Sequence, residues 1–277
     1  MSLASFIERH APLFVLTGAG CSTEAGIPDY RDDQGAWKRA PPMSYQEFTT
    51  SHAARQRYWA RGLIGWRRMR EVAPGRTHAA LARLEHAGHI DCLITQNVDG
   101  LHQRAGSRCV IDLHGRVDTV HCLNCGARFA RERIQSQLDA LNPAWPLLAA
   151  PAAPDGDVAL TDAPFDQYRL VNCEHCGGAL KPGVVFFGEA VPRQIVERAY
   201  AALARAEGVL VIGSSLMVYS GYRFVRDASE RALPIAIINR GRTRADAQAT
   251  IKIEALCGDV LEWLAARMIG AELATAE

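Results

Sequence analysis

Short apolar runs set the rhythm of this chain. Residues 13–17, 92–95, 110–113, 184–187, 209–212 and 235–238 are each four or five residues long and bounded by Gly, Pro or Asn. They show no strict apolar–polar alternation, which is the habit of strands buried on both faces in a parallel sheet. Between them, residues 77–89, 193–207 and 221–232 carry helix-like patterns. Strands alternating with helices predict an α/β fold built on an open, doubly wound, Rossmann-like parallel sheet.

Two stretches break the rhythm. Residues 41–75 read as helical and hold six arginines between Arg55 and Arg70. Residues 120–180 hold two cysteine pairs around the Pro/Ala-rich segment LNPAWPLLAAPAAPDGD, which reads as irregular loop. The strand pattern resumes after each, so both are expected as insertions into one core. The core then comprises 1–40, 76–119 and 181–277, with a helical insertion at 41–75 and a small zinc-binding module at 120–180. No internal repeat is present.

Composition narrows the function classes. The chain has 277 residues with 31 basic against 30 acidic, a net charge of +1. That balance offers no electrostatic footprint for nucleic acid or an anionic membrane. No apolar run reaches the roughly 18 residues of a membrane span. The N-terminus shows neither basic leader nor cleavage site, so a cytoplasmic protein is expected. In a reducing compartment, cysteines in C-x-x-C pairs favour metal over disulfide.

Four segments carry candidate chemistry. After the first strand comes Thr17-Gly18-Ala19-Gly20, ending at Gly26. Glycines there let backbone amides approach a pyrophosphate. Thr23 stands where the third glycine of the usual dinucleotide fingerprint would be, so a plain turn is an equal reading. Cys122-x-x-Cys125 and Cys173-x-x-Cys176 each run into a glycine, as zinc knuckles do. Four thiolates leave no open position for water, so the metal should be structural; an iron–sulfur cluster is the alternative. Gln96-Asn97-Val98-Asp99 follows a strand end, where ligands bind in such sheets, although Asp99 also suits a helix cap. His114 ends another strand before a glycine and suits either a general base or a structural role.

In order, these segments resemble the sirtuin family across nearly the whole chain. GAGCSTEAGIPDYR is similar to the family's cofactor loop, with Tyr30 in place of phenylalanine. TQNVDGLH, LHG, the two cysteine pairs, KPGVVFFGE, GSSLMVYSG and INRG follow in the family's sequence. The resemblance implies an NAD-dependent protein-lysine deacylase that consumes NAD, acts on acylated protein lysines, and releases nicotinamide, an acyl-ADP-ribose and free lysine. It places Gly18, Ala19, Gly20, Ile27, Asp29, Tyr30 and Arg31 around the pyrophosphate and nicotinamide ribose. Gln96, Asn97 and Asp99 would form the nicotinamide and ribose pocket. Gly213, Ser214, Ser215, Asn239, Arg240, Gly241 and Cys257 would meet the adenosine side. His114 and Asn97 would be catalytic, Zn²⁺ would be structural, and Val185, Phe187, Gly188 and Glu189 would pair the substrate peptide.

The long stretch 126–172 between the cysteine pairs, with QRYWARGLIGW and GSSLMVYSGYRF, resembles the class II branch that includes a mitochondrial lipoamidase-type member. Tyr58 and Arg61 lie one helical turn apart and resemble the pair with which acid-accepting members hold a substrate carboxylate; a solvated helix face is the other reading. Protein mono-ADP-ribosyl transfer and a non-enzymatic zinc-dependent interaction module remain alternative functions.

Overall fold

The computed structural model describes residues 1–275. In chain order the strands are β1 (Leu13–Thr17), β2 (Ile90–Thr95), β3 (Val110–Asp112), β4 (Gly115–Cys122), β5 (Arg128–Ala130), β6 (Leu180–Val184), β7 (Gly208–Ile212), β8 (Ile235–Ile238) and β9 (Ile251–Ile253). The helices are α1 (Leu3–His10), α2 (Tyr45–Thr50), α3 (His52–Met69), α4 (Arg76–His86), α5 (Leu101–Arg104), α6 (Arg131–Leu141), α7 (Arg193–Arg205), α8 (Tyr219–Glu230) and α9 (Cys257–Thr275). The chain divides into two units, a larger one from Met1–Arg39, Ala73–Leu113 and Val191 onward, and a smaller one from Ala40–Val72 and His114–Ala190.

The larger unit holds a six-stranded parallel sheet in the order β3-β2-β1-β7-β8-β9. Every residue of central β1 is buried, and alternate side chains feed opposite faces. Leu13 and Val15 join a core with Phe6, Leu81, Leu84 and Leu261 of α1, α4 and α9. Phe14 and Leu16 join the other, with Leu203 of α7 and Phe224 of α8. The doubly wound architecture follows from that two-sided burial. Strand order runs outward in both directions from the β1/β7 pair, which makes this pair the switch point of the sheet.

One predicted strand of this sheet is corrected. Residues 184–187 are not a core strand. Val184 closes β6, which pairs antiparallel with β4 in the smaller unit, and 185–187 follow as extended chain. Apolar composition misleads here because β6 is held by its partner, with Cys122 opposite Leu180 beside the cysteine cluster. The sixth core strand is instead β9, whose three half-exposed residues form the sheet edge and leave no apolar run to read.

In the smaller unit, the sheet β5-β4-β6 packs with α2, α3 and α6. Ser44 and Ser51 cap α2 and α3 by accepting from the amides of Glu47 and Ala54. The helical insertion and the cysteine module share one core: Phe48, Trp59 and Leu63 pack with Val120, Cys122 and Leu180. The Pro/Ala-rich segment is irregular, as expected, but firmly held. Gln56 of α3 donates to the carbonyls of Asp166 and Tyr168, and the Tyr168 hydroxyl donates to the carbonyl of Trp59. No described helix is long and apolar enough to cross a membrane.

Candidate active site and metal centre

The loops after β1, β2, β7 and β8 converge at the carboxyl ends of their strands, where an open α/β sheet binds its ligand. Gly18 N–H donates to the Ile212 carbonyl at 3.1 Å and Gly20 N–H to the Gly213 carbonyl at 2.8 Å. This fit excludes side chains. A Cβ on Gly20 would lie 2.8 Å from the Gly213 Cα, and one on Gly213, where φ is +58°, would lie 2.5 Å from the Cys21 nitrogen. The loop continues as two short 3₁₀ turns, Ala19–Cys21 and Thr23–Ala25. The dipole of a long helix is therefore absent at this loop, and close backbone approach is what suits it to a pyrophosphate.

Gln96 donates through Nε2 to the Thr17 carbonyl at 3.1 Å and to Ser214 Oγ at 2.8 Å, tying the ends of β2, β1 and β7. Asn97 is buried, and its Nδ2 donates to the Gly18 carbonyl at 3.0 Å and to Ser22 Oγ at 3.1 Å. Ser22 Oγ donates to Asp99 Oδ2 at 2.7 Å, while Asp99 Oδ1 accepts from the Leu101 amide. Asp99 is thus a helix-start acceptor whose other oxygen is bonded to Ser22. Ser215 accepts from the Arg244 amide, and Asn239 Nδ2 donates to the carbonyls of Arg240 and Gly241. Arg240 reaches Asp33 at 3.3 Å. Cys257 opens α9 with its thiol toward the Ile238 carbonyl, and the neighbouring Cys21 thiol lowers its pKa.

Ile27, Asp29, Tyr30 and Arg31 lie farther along the first loop. Asp29 is ion-paired with Lys38, and Arg31 donates to the Gly35 carbonyl and stacks 3.8 Å over Trp37. Burial lowers the Arg31 pKa. Tyr30 meets the same Trp37 edge-on.

Two histidines to which the sequence reading gave no role complete this side. Gly75 N–H donates to His78 Nδ1, which leaves the ring proton on Nε2, 3.4 Å from Ser22 Oγ. The His102 ring lies 4.8 Å from that of His78 and bonds Thr17 Oγ1 through Nε2 at 3.0 Å. Burial, then the His78 ring, holds the His102 pKa well below 6.5. Burial also lowers His78, against the pull of Asp99 and Glu24. Both stay neutral in the native state, whereas the unfolded chain protonates them below about pH 6.5. Stability should therefore be full at neutral pH and fall as pH drops below about 6.5. The loss is about 1.4 kcal/mol per pH unit for each histidine until its native pKa is reached. Urea unfolding at pH 7.5, 6.5 and 5.5 measures this; a flat profile would contradict it.

In the smaller unit, His114 opens the segment leading into β4, and its carbonyl accepts from Val185 N–H at 2.8 Å. Gly115 follows at φ +75°, where a Cβ would lie 2.1 Å from the Gly183 carbonyl oxygen. The backbone around His114 is thus fixed by β6 and the residue after it. Phe187 accepts from the Tyr45 amide, Gly188 turns at φ +81°, and Glu189 caps Phe186 N–H while pairing with buried Lys181 at 3.0 Å. Tyr58 sits among Phe48, Trp59 and Phe186. Arg61 makes a two-point contact with Asp157 and donates to the Val158 carbonyl.

The four knuckle cysteines form the metal centre. Their Sγ atoms lie within 4.8 Å of one another, with Cys122–Cys176 at 3.5 Å and Cys125–Cys173 at 3.7 Å. A Zn–S bond of about 2.3 Å places tetrahedral sulfurs about 3.8 Å apart. Left-handed Gly126 and Gly177 close the knuckles, and each donates its N–H to the carbonyl of its first cysteine. The set fits a structural zinc. Of the other cysteines, Cys92 and Cys109 are joined in a disulfide next to the β2–β3 pairing, a link the sequence reading did not anticipate.

Comparison with known proteins agrees with this geometry. The Sir2 family model matches residues 18–220. The NAD-dependent protein deacetylase of Xanthomonas axonopodis pv. citri is 56% identical over 95% of this chain and 90% of its own. The NAD-dependent protein deacylase Sirt4 of Drosophila melanogaster is 45% identical over 94% of this chain and 84% of its own. A solved Sir2–p53 peptide–NAD⁺ complex superposes with a TM-score of 0.77 at 28% identity, covering 98% of this chain and all (100%) of that one. Loops gathered at the sheet's switch point, a Cys₄ cluster that fits zinc and these relatives together place the chain in the Sir2, or sirtuin, family.

Proposed function

We propose that this protein is an NAD-dependent protein-lysine deacylase, with His114 as general base and Asn97 in the nicotinamide pocket. The observation that carries the proposal is the convergence of Gly18–Gly20, Gln96–Asp99, Gly213–Ser215 and Asn239–Gly241 at the ends of their strands. NAD, consumed as co-substrate, takes up the acyl group as an acyl-ADP-ribose and releases nicotinamide and free lysine. Asn97 has its amide fixed at two points, so it can present its remaining polar edge at low cost in ordering. Ser22 takes part of the Asp99 carboxylate and, with His78, sets its orientation. His114 accepts a proton from a ribose hydroxyl, a step suited to an imidazole near neutrality. Val185, Phe187, Gly188 and Glu189 are the residues beside which an acylated peptide would lie as an added strand.

We read the chain as nearest the class II branch, on the long segment between the cysteine pairs and on QRYWARGLIGW. We keep the cytoplasmic reading on the two C-x-x-C pairs, and the Cys92–Cys109 disulfide counts against it. Tyr58 and Arg61 are our candidates for recognising an acidic acyl group, and Asp157 competes for the same guanidinium. The expected outcome is turnover of succinyl, glutaryl or lipoyl peptides above acetyl peptide, measured with NAD and products weighed by mass. A strong acetyl preference would overturn the acyl assignment. Label transferred to the target protein without acyl-ADP-ribose would overturn deacylation itself.

A further inference from the structure

Cys92 stands on β2 and Cys109 immediately before β3, and the two are joined with their Cα atoms 4.9 Å apart. The parallel register Leu93–Val110, Ile94–Ile111 and Thr95–Asp112 sets them side by side one step below. The link closes residues 93–108 into a loop, and that loop holds Gln96, Asn97, Asp99, buried His102 and all of α5. At its far end β3 is three residues long and forms the edge of the sheet. Cys92 is 1% exposed, whereas Cys109 is half-buried, so a dissolved thiol or disulfide meets Cys109 first.

The backbone at Cys109 is held without the sulfur link. Leu93 N–H donates to its carbonyl at 2.9 Å, and the Glu85 carboxylate of α4 accepts from the amides of Arg108 and Cys109 at 2.9 and 2.6 Å. Cys92 Sγ lies 3.3 Å from the Cys109 carbonyl oxygen, so a reduced Cys92 thiol has an acceptor in place. Both redox states thus fit one backbone, which suits a link that opens and closes. What the link changes is freedom. A covalent tie across a loop narrows the conformations the loop can visit. A short edge strand is among the first elements to detach locally. When β3 detaches, the pocket segment loses its second anchor, and only the anchored fraction is ready for ligand.

We propose that Cys92 and Cys109 form a reversible redox staple on the pocket segment, so that oxidation tightens NAD binding and reduction loosens it. This rests on the placement of the cofactor pocket at Gln96–Asp99. Closure needs a small-molecule disulfide as oxidant. The Cys109 thiolate attacks one of its sulfurs, forming a mixed disulfide and expelling one thiolate. The Cys92 thiolate then attacks the Cys109 sulfur and expels the other. Two electrons pass to the reagent, and the two cysteine protons end on its two thiols. A pair that cycles is compatible with a reducing cell interior, where lasting disulfides are rare and redox-sensing ones occur.

The test uses the zinc-loaded full chain and its Cys109→Ser and Cys92→Ala variants, equilibrated in mixtures of reduced and oxidised glutathione. Alkylation of free thiols followed by peptide mass analysis reads the 92–109 link, and metal counting checks that the four knuckle cysteines keep their zinc. Calorimetry then reads NAD binding without turnover. Oxidation should tighten NAD binding by about fivefold or more in the wild type, the lower end of ordinary coupling between two sites. Both variants should bind as the reduced wild type does in every mixture. By reciprocity, saturating NAD should raise the ratio of squared reduced to oxidised glutathione at half-closure by the same factor. Equal NAD affinity with the link open and closed overturns the staple. So does a link that never forms, or variants that respond to glutathione as the wild type does. Redox-dependent NAD binding without nicotinamide release in the presence of an acetyl-lysine peptide would overturn the deacylase proposal alone.

Discussion

His114→Ala should lower NAD-dependent deacylation by about 10²- to 10⁴-fold, the usual contribution of a positioned general base. The geometry makes this a clean deletion. The His114 carbonyl is held by Val185 N–H, and Gly115 is pressed against Gly183, so the backbone keeps its path when the ring is removed. Binding of NAD should survive, since Gly20 N–H is bonded to the Gly213 carbonyl and Gln96 Nε2 to the Thr17 carbonyl and Ser214 Oγ. Nicotinamide release from an acylated peptide, followed alongside calorimetric NAD binding, separates the two effects. Full activity in the variant would remove His114 from the mechanism.

Removal of zinc should have the largest effect on stability. Structural zinc contributes about 10 kcal/mol or more of apparent free energy in small metal-dependent folds. Here Cys122 and Cys173 are themselves part of the hydrophobic core with Val120, Tyr168 and Leu180. Four uncompensated thiolates within 4.8 Å would repel one another or take up protons. Treatment with a strong chelator should expose the four thiols to Ellman's reagent and abolish cooperative unfolding of the smaller unit by circular dichroism. Unchanged thermal unfolding after the metal has been counted out would mean that the apolar core suffices. Cys125→Ser offers the same test genetically at an exposed position.

The core sheet was legible because strands buried on both faces leave unbroken apolar runs, as in β1, β7 and β8. That signal fails at an edge, where β9 is a lysine between two isoleucines, half exposed. It also fails for VVFF at 184–187, which is apolar yet belongs to a different sheet. The metal ligands were legible from spacing alone. His78 and His102 were not, since a buried histidine bonded to Ser22 or Thr17 has no sequence periodicity. The Cys92–Cys109 link depends on strand register, with Leu93 paired to Val110, and register across the intervening residues is not written locally. Arg61 shows the limit of motif reading. The helix does place it one turn from Tyr58, but its partner Asp157 comes from a loop whose ordering depends on tertiary contacts.

The chain enters the smaller unit at Ala40, leaves it after Val72, returns at His114 and leaves again after Ala190. Neither unit is therefore a contiguous stretch of polypeptide. During synthesis, β1, β2 and β3 emerge well before β7, the strand that must lie beside β1. The entire zinc-binding segment passes through the ribosome in the interval. The early half-sheet thus waits with an unpaired β1 edge, the kind of surface that invites aggregation. No single cut would release either unit intact, so production of isolated halves should yield insoluble material.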